Sequence, residues 1–274
     1  MTAAALFASL FVGLSTAGAE TVPTAVQFNM HGANGSASGH NTNVGQWTLN
    51  ALRNTDPSSS SQSVWTASLN EACWSQWVFL WNNYFGIKGF QGQAYWARWT
   101  NPGCGNFGNT ATVRGTARGP NPDRAQPFPT QGQSAPAELK GYVCLQSNFY
   151  GQWSCSAHLQ SSNVPVANTQ LWQFDVAIND ISVAQTPLLF GGDYNMAPYQ
   201  SGATQVRGWN YQVAVEADAS AYWNPFPSNI SGKRSTTDGG VPIDYIFRRP
   251  GTRSSTARIS LSPYSDHHFY VMRL

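Results

Sequence analysis

The run Leu188-Leu189-Phe190-Gly191-Gly192-Asp193-Tyr194-Asn195 constrains this chain more than any other stretch. Three apolar residues, two glycines and a carboxylate read as a buried strand that reaches the protein's edge at Asp193. Glycines there let the backbone approach a bound ligand. Alternation along a strand puts Asp193 and Asn195 on one side, with Tyr194 turned away. A carboxylate beside a carboxamide suits a phosphate accompanied by a metal ion. Taken alone, the same residues also make an ordinary Asx-type turn after a core strand. The rest of the chain decides between the two, because similar strand ends recur.

Strand-like patterns are predicted over 24–29, 63–70, 93–100, 109–114, 140–146, 152–158, 241–248 and 269–274. Helical stripes run through Val44, Trp47, Ala51 and Leu52, through Trp74, Val78, Trp81 and Phe85, and through Leu171, Phe174, Ile178 and Ile181. Strands outnumber helices and the helices fall between strands. The expected class is therefore α/β or α+β, sheets covered by helices, in one domain over 20–274 with no repeat visible in the sequence. Residues 115–137, with five prolines, and 217–240, with Tyr222-Trp223-Asn224-Pro225-Phe226, are expected to be long irregular loops.

Lys and Arg number 15 against 13 acids, so global charge selects no partner. Few charges and many Trp, Tyr, Gly and Pro describe a polar, uncharged, loop-rich surface of extracellular type. An apolar run over 3–12 precedes Ala17-Gly18-Ala19, the small-residue pattern of a signal-peptide cleavage site, although no Lys or Arg stands before it. The expectation is a signal peptide over 1–19, cleavage near Ala19 and secretion. The run is too short to span a bilayer, and stable membrane insertion is not expected. Four cysteines in an exported chain imply two disulfides. Cys144 and Cys155 flank a Phe149-Tyr150-Gly151 turn and would face each other across a hairpin. Cys73 with Cys104 follows by elimination. No C-x-x-C spacing supports a zinc site.

Polar groups stand at strand exits throughout: Asn29, Glu71, His158, Asp193 with Asn195, Asp244, and Asp266 with His267. Ligands of sheet proteins collect at strand ends, so these residues are expected to share one pocket. Carboxylates, two imidazoles and carboxamides, without a Ser or Cys nucleophile in place, fit metal-assisted hydrolysis of a phosphate ester. A hard cation held by carboxylates and phosphate points to magnesium, with calcium or manganese as alternatives. Two histidines would divide the proton work, and a carboxylate such as Asp244 would orient His267.

In order, the chain carries Phe28-Asn29-Met30-His31-Gly32, Leu69-Asn70-Glu71, Ser156-Ala157-His158-Leu159, Gly192-Asp193-Tyr194-Asn195, Ile243-Asp244-Tyr245 and Ser265-Asp266-His267. This set resembles the endonuclease/exonuclease/phosphatase superfamily, which includes the pancreatic-type deoxyribonucleases, over nearly all of the mature chain. Asn29-Met30-His31-Gly32, Asn109-Thr110-Ala111-Thr112-Val113 and Lys140-Gly141 resemble, more loosely, the active subunit of cytolethal distending toxins. The resemblance implies a four-layer α/β/β/α sandwich, two face-packed mixed sheets between helices. It implies Glu71 as the main metal carboxylate with Asn29 and Asp266 in support, and Asp193 and Asn195 on the attacking water and the phosphate. His267 with Asp244 would be the general base or phosphate-stabilising imidazole, His158 the general acid, and Lys140, Asn109 and Arg114 phosphate contacts. Two departures stand out: Asn70 replaces a usual Gln, and 93–114 contains no carboxylate to partner His158.

Other residues read more plainly. His31, His40 and His268 are taken as ordinary histidines, and Trp74, Trp77 and Trp81 as core and helix face. Arg248, Arg249, Arg253 and Arg258 suit either a phosphate backbone or a solvated hairpin. The expected function is DNA hydrolysis by a monomer, with toxin-type partner subunits left open. The alternative on the same core is a sphingomyelin or phospholipid phosphodiesterase or a phosphoinositide phosphatase. A non-catalytic binding module is the third reading.

Overall fold

A computed structural model of the protein describes residues 22–31, 40–56, 62–101, 104–115, 124–132, 139–147, 153–161, 163–181, 188–196, 212–213, 237, 243–248, 256–260 and 262–273. The expected signal peptide, the Tyr222–Phe226 aromatic segment, and Arg249 and Arg253 lie outside the described residues.

The chain runs β1 (Val22–Asn29), α1 (His40–Thr55), β2 (Gln62–Cys73), α2 (Trp74–Leu80), a π-helical turn (Trp81–Phe85), β3 (Phe90–Asn101), β4 (Gly105–Arg114) and β5 (Arg124–Pro127). It continues through β6 (Gly141–Gln146), β7 (Trp153–His158), α3 (Val164–Ile181), β8 (Leu188–Asp193), β9 (Gln212–Val213), β10 (Asp244–Arg248), β11 (Thr256–Ser260) and β12 (Phe269–Arg273). One sheet has the order β11-β12-β1-β2-β4-β3 and the other β5-β6-β7-β8-β10-β9. Each is built around one parallel pair, β1 with β2 and β7 with β8, with antiparallel neighbours on either side. A parallel pair needs a crossover, and α1 and α3 supply it. The two halves thus share one pairing pattern, a repeat that no sequence similarity announced.

Helices cover the outer faces. On the first sheet, Val26, Phe28 and Leu69 pack with Val44, Leu52, Trp77 and Leu80. On the second, Phe190 and Tyr245 pack with Leu171, Phe174 and Ile178. Full burial of each such side chain contributes about 1.5–3 kcal/mol. Between the sheets lie smaller and more polar groups. Ser68 Oγ donates to Ser156 Oγ at 2.7 Å, and the Thr66 and Ser154 hydroxyls meet at 2.7 Å. The glycines of β8 serve this contact. A Cβ on Gly191 would stand 3.0 Å from Ser68 Cβ, and one on Gly192 would stand 2.1 Å from the Ala157 carbonyl oxygen. They admit the neighbouring strand and the facing sheet, not the ligand expected from sequence.

Several expectations are corrected. The buried side of 74–85 is Gln76, Trp77, Leu80, Tyr84 and Phe85, while Trp74 is exposed. Trp77, Leu80 and Tyr84 keep an ordinary helical spacing, so the stripe expected from sequence has the right period and the wrong phase. The 115–137 stretch includes the edge strand β5 and the buried Phe128, whose N–H donates to Lys140 O at 3.0 Å. β10 and β11 belong to different sheets, so the basic run around them is not one hairpin. Both disulfides form as paired from sequence. Cys144 and Cys155 stand opposite each other across β6–β7, and Cys73–Cys104 ties the end of β2 to the start of β4. No helix among the described residues is long and apolar enough to cross a membrane.

Candidate active site

Register explains why residues remote in sequence meet. In the second sheet His158 pairs with Gly141 and Asp193, and Asp193 pairs with Asp244. These residues therefore form one row across four strands, spaced by the roughly 4.8 Å between strands. In the first sheet Asn29 pairs with Asn70 at the matching edge. The rows face each other and are tied together. Asn29 Nδ2 donates to Asp193 Oδ2 at 2.9 Å, Asp193 N to Asn70 Oδ1 at 3.0 Å, and Asn109 Nδ2 to Gly141 O at 3.0 Å.

Among the described residues, the non-glycine positions with positive φ are His31 (49°), Glu71 (49°) and Asn195 (50°), and all three stand at this edge. Such backbone costs on the order of 1–3 kcal/mol per residue and persists where surrounding contacts over-determine it. Glu71 sits where the β2–β4 register breaks between Leu69 and Ala72, a bulge that redirects its side chain. His31 and Asn195 share another device: His31 N donates to Asn29 Oδ1 at 2.8 Å, and Asn195 N to Asp193 Oδ1 at 2.9 Å. The Asx turn and the site expected after β8 are therefore the same object. Strand alternation ends at Asp193, and the left-handed turn aims the Asn195 carboxamide at Leu159 O, 3.0 Å away.

The imidazoles sit in opposite fields. His267 Nδ1 lies 2.7 Å from Asp244 Oδ2, and its Nε2 lies 3.6 Å from Asp193 Oδ2. Burial disfavours the imidazolium there, but Asp244, then Asp193, outweigh it and raise the His267 pKa to about 10. His158 Nε2 is 3.7 Å from both Glu71 Oε1 and Asp193 Oδ2, while Lys140 Nζ approaches its two ring nitrogens at 3.1 and 3.3 Å. Burial, Lys140 and His267 together hold the His158 pKa well below 6.5. That setting favours the neutral ring. Burial raises the Asp193 carboxyl to about 7, helped by Asp244 and Glu71 against His267.

Glu71, His158 and Asp193 each offer a ligand atom within 4.8 Å of the others, as do Asp193, Asp244 and His267. Asn29 and Asp266, expected as supporting ligands, have contacts of their own at this edge. Asn29 spends its amide on Asp193 and His31, and Asp266, half-exposed, pairs its Oδ1 with His31 Nδ1 at 2.8 Å. Through this contact His31 lowers the Asp266 pKa and Asp266 raises that of His31. His31, read from sequence as an ordinary loop histidine, belongs to the rim of the site. Its position two residues after Asn29 in a strand-exit motif was the available signal. His268 is buried next to the site histidine, and His40 begins α1.

Of the other expected phosphate contacts, Asn109 joins the two rows and Arg114 lies elsewhere. Asn109 is buried and its carboxamide joins Asn70 to Gly141. Arg114, at the far end of β4, places Nη2 3.0 Å from Asp56 Oδ2 and its guanidinium 5.4 Å over the Phe90 ring. It anchors the end of α1 to the sheet. Lys140, at the start of β6, does reach the site.

The sequence matches no family model and no curated protein. Solved structures are similar. An endonuclease/exonuclease/phosphatase from Beutenbergia cavernae shares 16% identity at TM-score 0.61, covering 92% of this chain and 71% of that one. A mannosyl-6-phosphatase from Bacteroides thetaiotaomicron shares 14% at 0.64, covering 91% and 98%. TDP2 of D. rerio, complexed with single-strand DNA product, shares 15% at 0.60, covering 91% and 97%. The chain therefore has the endonuclease/exonuclease/phosphatase fold, the four-layer α/β/β/α sandwich expected from its motifs.

Proposed function

We propose that this chain is a secreted, divalent-metal-dependent phosphodiesterase that hydrolyses DNA. The observation that carries the reading is the meeting of Glu71, His158, Asp193, Asp244 and His267, drawn from both sheets, at one edge of the sandwich. A neighbour of the same fold that holds a DNA product supports the choice of substrate, and two disulfides support export.

The donor set suits a hard cation, because carboxylate oxygens of Glu71 and Asp193 stand within ligand distance of each other. These two residues would hold Mg2+, Mn2+ or Ca2+, which when bound neutralises charge on the phosphate and its leaving oxygen. The protein's own groups divide the proton work. Asp193, with the neutral His158 beside it, stands as the accepting side for the attacking water. His267, held as imidazolium by Asp244, donates to the phosphate and then to the departing oxygen. Asn195 holds the backbone at Leu159, and Lys140 brings a cation against the phosphate-facing side of His158.

Incubating the mature chain with supercoiled plasmid and with sphingomyelin vesicles, each with Mg2+ or chelator, tests this. Nicking that disappears with chelator and in both His158→Ala and His267→Ala is expected. Cleavage of lipid alone would assign the lipid phosphodiesterase instead, and a folded chain inactive on both would leave a binding module.

Cation binding is also expected to stabilise the fold. The Asp193 pKa is raised above its unfolded value, so this group favours the folded state below about pH 4 and loses that contribution as pH rises through 7. A cation beside the carboxylate offsets the loss. At a hundred times Kd, binding contributes about 2.7 kcal/mol, a rise in Tm of about 5–10 °C for a chain of this size. The rise should vanish in Glu71→Gln. Thermal melts at pH 7.5 that show no rise, or the same rise in the variant, would refute the assigned site.

A further inference from the structure

Trp74 is an exposed aromatic ring close in sequence to Glu71 and outside the buried core clusters. Trp74 opens α2 three residues after Glu71, so the two Cα atoms are at most about 11 Å apart. Its side chain is 49% exposed. The Trp96 ring, on β3, supports it edge-on at 5.5 Å and 78°, which leaves an indole face open. The mount is rigid. Cys73, one residue earlier, is disulfide-bonded to Cys104, and its N–H donates to Gln76 Oε1 at 2.8 Å, closing the first turn of α2. Trp77, one turn on, faces the core instead.

We infer that Trp74, backed by Trp96, is a stacking platform for the nucleobase next to the scissile phosphate. This deepens the nuclease reading above and rests on it. A flat, fixed ring within a few residues of Glu71 suits a planar π ligand, and stacking is tolerant of base identity. A lipid surface fits less well. The other large exposed apolar side chains among the described residues are Ile87, on the turn after the π-helical segment, Trp172 and Val176, on α3, and Tyr264, just before Asp266. None of them stands on α2 with Trp74.

The test measures binding of the mature chain, in chelator, to a fluorescent single-stranded oligonucleotide and to one of equal length made of abasic residues. Trp74→Ala is expected to raise Kd for the base-containing strand about tenfold, consistent with 1–3 kcal/mol per stacked base, and to leave the abasic strand unchanged. Trp74→Phe should restore most of the affinity, and indole emission should quench on binding only when Trp74 is present. An unchanged Kd in Trp74→Ala, an equal loss on the abasic strand, or Trp74-dependent binding to phosphatidylcholine vesicles in place of the oligonucleotide would overturn the inference. If plasmid nicking is absent but base binding depends on Trp74, the catalytic reading fails and the platform stands. If nicking depends on His267 but binding ignores Trp74, the platform alone fails.

Discussion

Replacing His267 with alanine is expected to lower the rate of phosphodiester cleavage by about a hundred- to ten-thousand-fold, the range that a positioned acid or base contributes. The expectation rests on two contacts, Asp244 at 2.7 Å on one ring nitrogen and Asp193 at 3.6 Å on the other. Together they keep the ring charged across neutral pH, with a pKa raised to about 10. A charged donor is lost as pH rises, so activity should fall on the alkaline side as pH approaches 10. On the acid side it should rise as Asp193, near 7, and His158, below 6.5, lose their protons. Bound cation favours the Asp193 carboxylate and should move that limb down. Asp244→Asn keeps the shape but removes the charge. In that variant the alkaline limb should shift toward 6.5, which a merely structural role would not produce. Stability supplies an independent check. A histidine with a raised folded pKa stabilises fully below the unfolded value of 6.5 and loses that contribution as pH rises toward 10. His267→Ala should therefore cost more stability at pH 6 than at pH 10. Retention of a third of the activity, or an unmoved alkaline limb in Asp244→Asn, would remove His267 from the chemistry.

Strand exits were legible in sequence because each couples an apolar run to one polar residue, a pattern that alternation makes local. Asn29, His158 and Asp193 reach the common edge for that reason, and Glu71 does so at a bulge near the end of β2. Asp244 opens β10 and His267 precedes β12, so antiparallel pairing brings these two there at strand starts and not at the exits expected. Cys144 and Cys155 were legible too, because a hairpin brings its own residues face to face. What stayed hidden depends on pairing between segments far apart. Asn109 and Arg114 share a strand pattern, yet only the facing elements decide that one ties the sheets together and the other meets Asp56. Edge strands of two to five residues, β5, β9 and β11, are too short for periodicity to mark. Left-handed backbone at His31, Glu71 and Asn195 carries no composition signal, since none is glycine. The exposure of Trp74 was hidden because the same α-helical period fits a stripe through Trp77, Leu80 and Tyr84 as well as one through Trp74, Val78, Trp81 and Phe85, and only packing chooses the phase.

Asn70 is the point at which the site and the stability of the sandwich are one question. Fully buried, its Oδ1 accepts from Gln27 Nε2 at 2.7 Å and from Asp193 N at 3.0 Å. Its Nδ2 donates to Asn109 Oδ1 at 3.0 Å, Ala157 O at 3.0 Å and Ser156 Oγ at 3.2 Å. Gln27 Nε2 also reaches Asp244 Oδ1, at 3.4 Å, so the same amide chain leads to the His267 partner. Asn70→Ala leaves several buried groups without a partner at about 1–3 kcal/mol each, and a total loss of about 3–5 kcal/mol is expected. Activity should fall with it, because the Asp193 backbone loses the contact that fixes it against β2. Asn70→Asp separates charge from shape. It keeps both acceptor contacts but turns a carboxylate oxygen toward Asn109 Oδ1 and Ala157 O, where only a donor fits. Burial raises the pKa of such a carboxyl above its unfolded value, so the variant should be least stable at neutral pH and recover as pH falls toward 4. Urea unfolding followed by Trp fluorescence, at pH 4.5 and 7.5, reads both effects. A loss under about 1 kcal/mol in Asn70→Ala, or an Asn70→Asp deficit that does not shrink in acid, would mean that the sheets are held together elsewhere.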